Sequence, residues 1–249
     1  MGWGKSEQNV EGRRRIRDLG SRLHVRYYAP CSTAWARVVD EYRQCPIKPG
    51  KGEITVDDVF NSRMIADPLT KLHCCIRSDG GGAVVLTSEE RARDCAKTPV
   101  WVLGTGEATS HTTMSEWDDF TRSPAYASGR LAFGRAGVTP ADIDVCEIYD
   151  AFTHMVLASL EALGFCGPGE GGPFVEDGRL RIGGALPTNT DGGGLSHCHP
   201  GMRGMFLLVE ATRQLRGEAV GRQVEGARLA CVNGTGGWFS TASTVILGV

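Results

Sequence analysis

From Thr55 onward, apolar and polar positions fall into blocks that read alternately as helix and strand. Thr55 is placed to cap a helix, with Asp57 and Asp58 in its first turn where carboxylates favour the positive end of the helix dipole. Asp67-Pro68 ends that stretch. After Asp79-Gly-Gly-Gly82, residues 83–87 predict a short apolar strand, 88–95 a charged helix and 100–104 a second strand. A helix is predicted over 124–136, and Thr139-Pro140 is a cap followed by proline at the first helical position. Residues 143–149 predict a strand. The helix predicted over 150–163 carries Phe152, Val156, Leu160 and Leu163 on one face and stops at Gly164. Residues 164–194 form a glycine-rich excursion, with a short hairpin expected around Asp177-Gly178. Pro200 opens a helix over 201–216 with the apolar stripe Met205, Leu208, Val209, Thr212 and Leu215. Strands over 228–232 and 243–247 flank a glycine turn. Such alternation predicts an α/β fold built in layers.

Residues 1–50 stand apart as an irregular segment. Arginines, two tyrosines and Cys31-Ser-Thr-Ala-Trp-Ala follow one another without sustained period, a short helix over 34–42 is an option, and Pro46–Gly52 reads as a loop. The chain of 249 residues is long enough for one large or two small domains. A formal net charge of −2 with interspersed signs points to neither nucleic acid nor a membrane surface. The run Arg13-Arg-Arg-Ile-Arg17 reads as a solvated local segment. Glycine, at 34 residues, has about twice its average usage and clusters after residue 164, as tight turns or close backbone approach to a ligand require. Nine irregularly spaced cysteines without a Cys-x-x-Cys pair, and no secretory h-region after Met1, predict reduced thiols in a soluble cytoplasmic protein.

Three strand ends carry reactive side chains. Tyr149-Asp150 lies where a strand passes into a helix, the position at which open α/β sheets collect ligands. Asp150 there is either a helix cap or a site group, and Tyr149 either packs or offers a hydroxyl as hydrogen-bond donor or acid/base. His197-Cys198-His199-Pro200 has too few convergent ligands for a metal, so no metal is expected. A histidine pinned at a helix start behind Gly192–Gly194 could stabilise an oxyanion with its ring and the neighbouring N–H groups, or be structural. Cys231, before Asn233-Gly-Thr-Gly-Gly237, is a base or nucleophile or else core filler. Gly234-Thr-Gly-Gly237 is a weak phosphate-loop candidate. Cys74-Cys75 reads as packing, and His154 as solvent-facing.

In order and spacing these junctions, with Arg63-Met-Ile-Ala-Asp-Pro68, Asp79-Gly-Gly-Gly-Ala-Val-Val85 and Glu210-Ala-Thr-Arg-Gln-Leu-Arg-Gly217, resemble the thiolase superfamily and its sterol-carrier or lipid-transfer branch. The resemblance runs from about Asp67 to Val249. It implies a thiolase-like layered α-β-α fold: a remnant of the N-terminal half over 51–97 and a complete C-terminal half over 98–249, with most of the first half missing. It also implies chemistry at a carbon–carbon bond next to a CoA thioester, by thiolytic or retro-aldol cleavage in lipid or steroid side-chain degradation. The alternative is a non-catalytic subunit that binds acyl-CoA or a partner protein. Tyr149 takes the place of the family asparagine that holds a water in an oxyanion hole, as in the related steroid side-chain aldolases. His199 matches the family's Gly-His-Pro histidine, with Cys198 for the glycine. Cys231 matches the acid/base cysteine of Cys-x-Gly, with Asn233 for the glycine. Gly193, Gly194, Gly234 and Gly236 are the glycines implied to contact coenzyme A, which enters as substrate rather than bound cofactor. A homodimer or a hetero-oligomer with an OB-fold, zinc-ribbon protein is the implied assembly.

Overall fold

The computed structural model describes residues 54–249 apart from Phe120; the possible helix over 34–42 and the basic run at 13–17 lie outside them. Thr55 caps helix α1 (Val56–Asn61) reciprocally: its hydroxyl accepts from the Asp58 N–H at 3.2 Å, and the Asp58 carboxylate accepts from the Thr55 N–H at 2.8 Å. A small ribbon follows, β1 (Met64–Ala66) and β2 (Leu69–Thr70). Residues 83–87 form no strand, contrary to expectation. Val85 and Leu86 stand 93% and 80% exposed, because no described segment offers the hydrogen-bonding edge a strand requires. The charged helix shortens to one turn, α2 (Glu89–Ala92).

A four-stranded sheet forms the centre: β3 (Trp101–Thr109), β4 (Val145–Ile148), β5 (Leu229–Gly236) and β6 (Thr241–Gly248), in the order β3-β6-β5-β4. The β4–β5 pair is parallel and the other two pairs are antiparallel. Alternate side chains of the strands serve the two faces. On one face Cys146, Ile148, Cys231 and Ile246 meet helices α3 (Ala125–Ala136) and α4 (Thr153–Leu163) through Ala132, Phe133, Val156, Leu160 and Leu163. Beyond them, the single turn α5 (Gly171–Phe174) packs against α4, where the Gly171 N–H donates to the Glu161 carboxylate at 3.0 Å. On the other face Val145, Ala230, Val232 and Leu247 meet α6 (Arg203–Leu215) through Leu207, Ala211 and Leu215. The layered α-β-α architecture is therefore present.

Glycine sets the approach of α3 to β3. A Cβ at Gly106 would lie 2.1 Å from the Ser128 carbonyl oxygen, and one at Gly104 2.2 Å from that of Ala132. Both contacts are with backbone, which a rotamer change cannot relieve. Gly106→Ala is expected to destabilise the fold by about 3 kcal/mol, read as a lower urea midpoint at unchanged slope.

Tertiary pairing lengthens three strands beyond their apolar cores: β3, β5 and β6 pair through Gly106, Gly234, Thr241 and their neighbours. The expected hairpin at Asp177-Gly178 is a tight turn with φ of 62° and 72°; the segment closes through Leu186 N–H to Arg179 O and Thr188 N–H to Leu180 O instead of a ladder. The α6 stripe is also shifted. Leu207, Ala211 and Leu215 face the sheet together with buried Arg203, Glu210 and Gln214, while Met205 and Phe206 lie against Gly82 and Gly80. The helix is covered on two sides, and a single apolar stripe describes only part of it.

Candidate active site

Tyr149 follows directly on β4, and its N–H donates to the Asn233 carbonyl of β5 at 2.9 Å. The free edge of β4 is closed by 187–189. Cys146 N–H donates to Pro187 O, Asn189 N–H to Cys146 O, and the Asn189 side chain brackets Ile148 by accepting its N–H at 2.8 Å and donating to its carbonyl at 2.9 Å. That clasp delivers the glycine-rich loop to the strand end.

The loop turns through a π-helical segment, Gly193–His197, with φ of 92° at Gly192 and 64° at Gly193. Asp150 caps it across the chain. Its fully buried carboxyl accepts from the Gly194 N–H at 2.8 Å and the Leu195 N–H at 3.2 Å. Helix α4, by contrast, begins after Phe152 without a side-chain cap, so Asp150 is not the cap of the helix that follows it. Gly194 is obligatory for space: a Cβ there would fall 2.5 Å from His199 Cδ2 and 2.9 Å from Asp150 Oδ1.

His199 thereby reaches Tyr149. Their ring centroids are 5.2 Å apart at 58°. The His199 N–H donates to Ser78 Oγ at 2.9 Å, and Ser78 Oγ–H donates to Cys198 Sγ at 3.1 Å. The 75–78 segment closes this side, with Cys75 N–H donating to Ala151 O and Ile76 N–H to Gly194 O, both at 2.9 Å. Enclosed against Tyr149, the His199 Nε2 makes no hydrogen bond within the protein.

Burial dominates the electrostatics. It lowers the His199 pKa, with Arg203 adding to the effect, so the ring is a neutral donor at neutral pH. It raises the Tyr149 phenol, helped by Cys75 and Asp150, so the hydroxyl keeps its proton. The Cys75 thiol is pushed up to about 11, first by burial and then by Asp150. Asp150 itself is raised to about 7 by burial, against the pull of Arg203 and its two N–H donors.

Behind the site lies a buried charge network. Arg203 is fully buried and donates through both terminal nitrogens to the Asp191 carboxylate, with Nη1 to Oδ2 at 2.7 Å. Burial pushes Asp191 up, but the neighbouring His197 and the Arg203 guanidinium outweigh it and hold the carboxyl well below its usual range. Arg222 grips Glu210 in a two-point pair at 2.8 and 2.7 Å. Thr190 Oγ1 sits between Glu210 Oε1 at 2.8 Å, Glu147 Oε1 at 2.9 Å and the donating Gln214 amide at 2.9 Å. One hydroxyl hydrogen cannot serve two carboxylates. Burial pushes the Glu147 pKa strongly upward, so Glu147 carries the proton and donates to Thr190, whose own hydrogen is left for Glu210.

Of the residues expected at the site, the structure brings Tyr149 and His199 together. Cys231 is placed elsewhere: it is fully buried in the α3/α4 cluster beside Cys146, whereas Tyr149 packs with the α6-side cluster. The two-residue strand period turns position 231 to the opposite face from its neighbours 230 and 232. Gly234 and Gly236 are not in a loop but within β5, opposite Ser243 and Thr241. The N–H groups of Gly193 and Gly194 are already taken by Asp191 and Asp150, so neither is turned to a ligand. His154 is not solvent-facing; it stacks on Phe152 at 5.7 Å, and burial drives its pKa down to about 4. His197 lies 3.7 Å from Asp191, and among the described residues no cluster of three or more His, Cys, Asp or Glu is arranged to hold a metal. Nor is any described helix long and apolar enough to cross a membrane. Cys75, Ser78 and Arg203 are site residues that strand-end motifs did not reveal. Arg203 was discoverable as a charge near the start of a helix with apolar neighbours, where it must find a buried partner.

Comparison with known proteins agrees with this fold. The family model for the thiolase C-terminal domain-like group matches residues 106–249. An acetyl-CoA acetyltransferase of Methanothermobacter thermautotrophicus is 41% identical over 196 residues, 78% of this chain and 51% of that protein. The 17-hydroxy-3-oxo-4-pregnene-20-carboxyl-CoA lyase of Mycobacterium tuberculosis is 39% identical over 74% of this chain and 48% of its own length. The solved Ltp2-ChsH2(DUF35) aldolase superposes with a TM-score of 0.82 at 35% identity, over 92% of this chain and 61% of that one. The chain thus spans about half the length of the curated relatives it matches. It belongs to the thiolase family, in whose C-terminal domain the Tyr149–His199 pair stands.

Proposed function

We propose that this chain carries out, or supplies half of a site for, the making or breaking of a carbon–carbon bond next to a CoA thioester, with an aldol-type reaction favoured over thiolysis. The observation that carries the reading is the Tyr149–His199 pair at 5.2 Å, with an enclosed His199 Nε2 that has no protein partner. In cleavage of a β-hydroxyacyl-CoA, Tyr149 first releases its own proton to solvent; the substrate hydroxyl proton then passes to the phenolate oxygen, a form that burial makes scarce, and the carbon–carbon electron pair moves to the thioester enolate. A ketone or aldehyde leaves. The neutral His199 ring donates to the enolate oxygen, whose charge it stabilises. In the reverse direction the protonated phenol donates to the forming alkoxide, the state in which burial keeps it. No thiol takes part in this step, which suits a site whose core thiol Cys231 faces away. Relatives include both acyltransferases and aldolases, which supports the reaction class more than its subtype.

A second reading is a non-catalytic subunit that binds acyl-CoA or a partner. It is favoured by the exposed Val85 and Leu86 and by the half-length match to relatives. The aldolase structure is named with ChsH2(DUF35), and a benzoylsuccinyl-CoA thiolase relative is named as a subunit, so a hetero-oligomer is part of either reading. The test is incubation of the protein, alone and with a DUF35-type partner, with β-hydroxyacyl- and β-ketoacyl-CoA, followed by mass spectrometry. Conversion of the β-hydroxyacyl-CoA to a carbonyl compound and a shortened acyl-CoA is expected. Folded protein that binds both thioesters and converts neither would establish the second reading.

A further inference from the structure

Asp150 has no role in the proton transfers above, although it is a fully buried carboxyl next to Tyr149 in the chain. Both of its oxygens are committed, one to the Gly194 N–H and the other to the Leu195 N–H. A carboxylate can accept both. A carboxylic acid carries a hydrogen on one oxygen and has lost its charge, so that oxygen is a much weaker acceptor for the N–H pointing at it. Protonation therefore weakens the hold of the carboxyl on the two N–H groups, and the 193–197 turn is freed to shift. Gly194 transmits that shift. Its N–H is bound to Asp150, its carbonyl accepts from Ile76 N–H at 2.9 Å, and its α-carbon lies so close to the His199 ring that no Cβ fits.

We propose that Asp150 is a positioning residue: its ionised carboxyl clamps the 193–197 turn and so presses the His199 ring to Tyr149, and the pair loosens when the carboxyl takes up a proton. The inference rests on the proposed role of the Tyr149–His199 pair, but its geometry is independent of substrate. The groups facing Asp150 are Arg203 from α6, which favours the charge, Asp191 from the loop, which opposes it, and Cys75 and Tyr149 from the opposite side. His197 stands behind Asp191 at 3.7 Å, and Glu147 behind Arg203 keeps its proton. Cys75, at about 11, and the raised Tyr149 remain neutral where Asp150, near 7, changes charge. The clamp is complete above that pH and released below it.

The test is nuclear magnetic resonance of the full chain labelled with carbon-13 and nitrogen-15, titrated from roughly pH 5.5 to 8.5, the range in which a group near neutrality changes charge. In the wild type the Asp150 carboxyl carbon, the Gly194 and Leu195 amides and the His199 Cδ2–H should share one midpoint near 7. In Asp150→Asn the amides and the ring should lose that midpoint while the spectrum stays dispersed. In Gly194→Ala the carboxyl should still titrate, but the displaced ring should no longer follow it. Gly194 and Leu195 amides flat across the range, or a His199 midpoint retained in Asp150→Asn, would overturn the proposal. Should Asp150→Asn not fold, Gly194→Ala decides: uncoupling of ring from carboxyl supports the clamp, and continued coupling refutes it. Because no substrate is involved, loss of the proposed CoA chemistry would leave this result standing. If turnover is found, kcat/KM should fall on the acid side of that midpoint in the wild type and lose this dependence in Asp150→Asn.

Discussion

Alanine in place of Arg203 is expected to lower the free energy of unfolding by about 3–5 kcal/mol, the usual cost of stripping one partner from a buried ion pair. The guanidinium is fully enclosed, and its loss would strip both of its contacts from the buried Asp191 carboxylate. Its charge also favours the ionised form of Asp150. Asp191 would be left with the Gly193 N–H and His197. Urea denaturation reads the loss, with an unchanged slope if the denatured state is unaffected. The double change Arg203→Met with Asp191→Asn should cost less than Arg203→Met alone, because it removes both charges instead of orphaning one. A single-mutant loss below about 1 kcal/mol would mean that the pair behaves as an exposed one, and the buried network described above would then be misassigned.

The largest effects on turnover are expected at the two rings. His199→Ala should reduce kcat by about 100- to 1,000-fold, the range for removal of one oxyanion donor. Tyr149→Phe should reduce it by about 100- to 10,000-fold, the range for a positioned acid/base. Phenylalanine keeps the ring against His199 and removes only the hydroxyl, so packing should survive. Cys231→Ala, inside the α3/α4 core, should appear in unfolding curves and not in kcat. A kcat loss there as large as that of His199→Ala would return the thiol to the site.

The layered α/β arrangement was legible because long, strongly periodic segments dominate it. Val156, Leu160 and Leu163 face the core as their spacing predicts, and Gly137 and Gly164 stop their helices with φ of 69° and 85°. What local pattern could not supply was partnership. Residues 83–87 have the composition of a strand but no neighbour to pair with among the described residues, while β5 runs on through Asn233 and two glycines because β6 pairs with it along its whole length. The site divides in the same way. Tyr149 and His199 were readable from strand-end and helix-start motifs and from family resemblance. Cys231 matched the same resemblance, yet strand parity turns it to the far face. Asp150 looked like a local cap, but its hydrogen bonds go to residues 44 and 45 positions away. Nothing in a single window of sequence encodes such a contact.

The family match begins at residue 106, but the backbone of His199 is anchored by Ser78, and Gly194 by Ile76. The working limit of the site therefore falls some thirty residues upstream of the recognised domain. A truncation made at the domain border would keep both rings and strands β4 to β6 but remove the first half of β3. It would also untether the imidazole, so trimming to the matched boundary removes a wall of the very chamber it was meant to isolate.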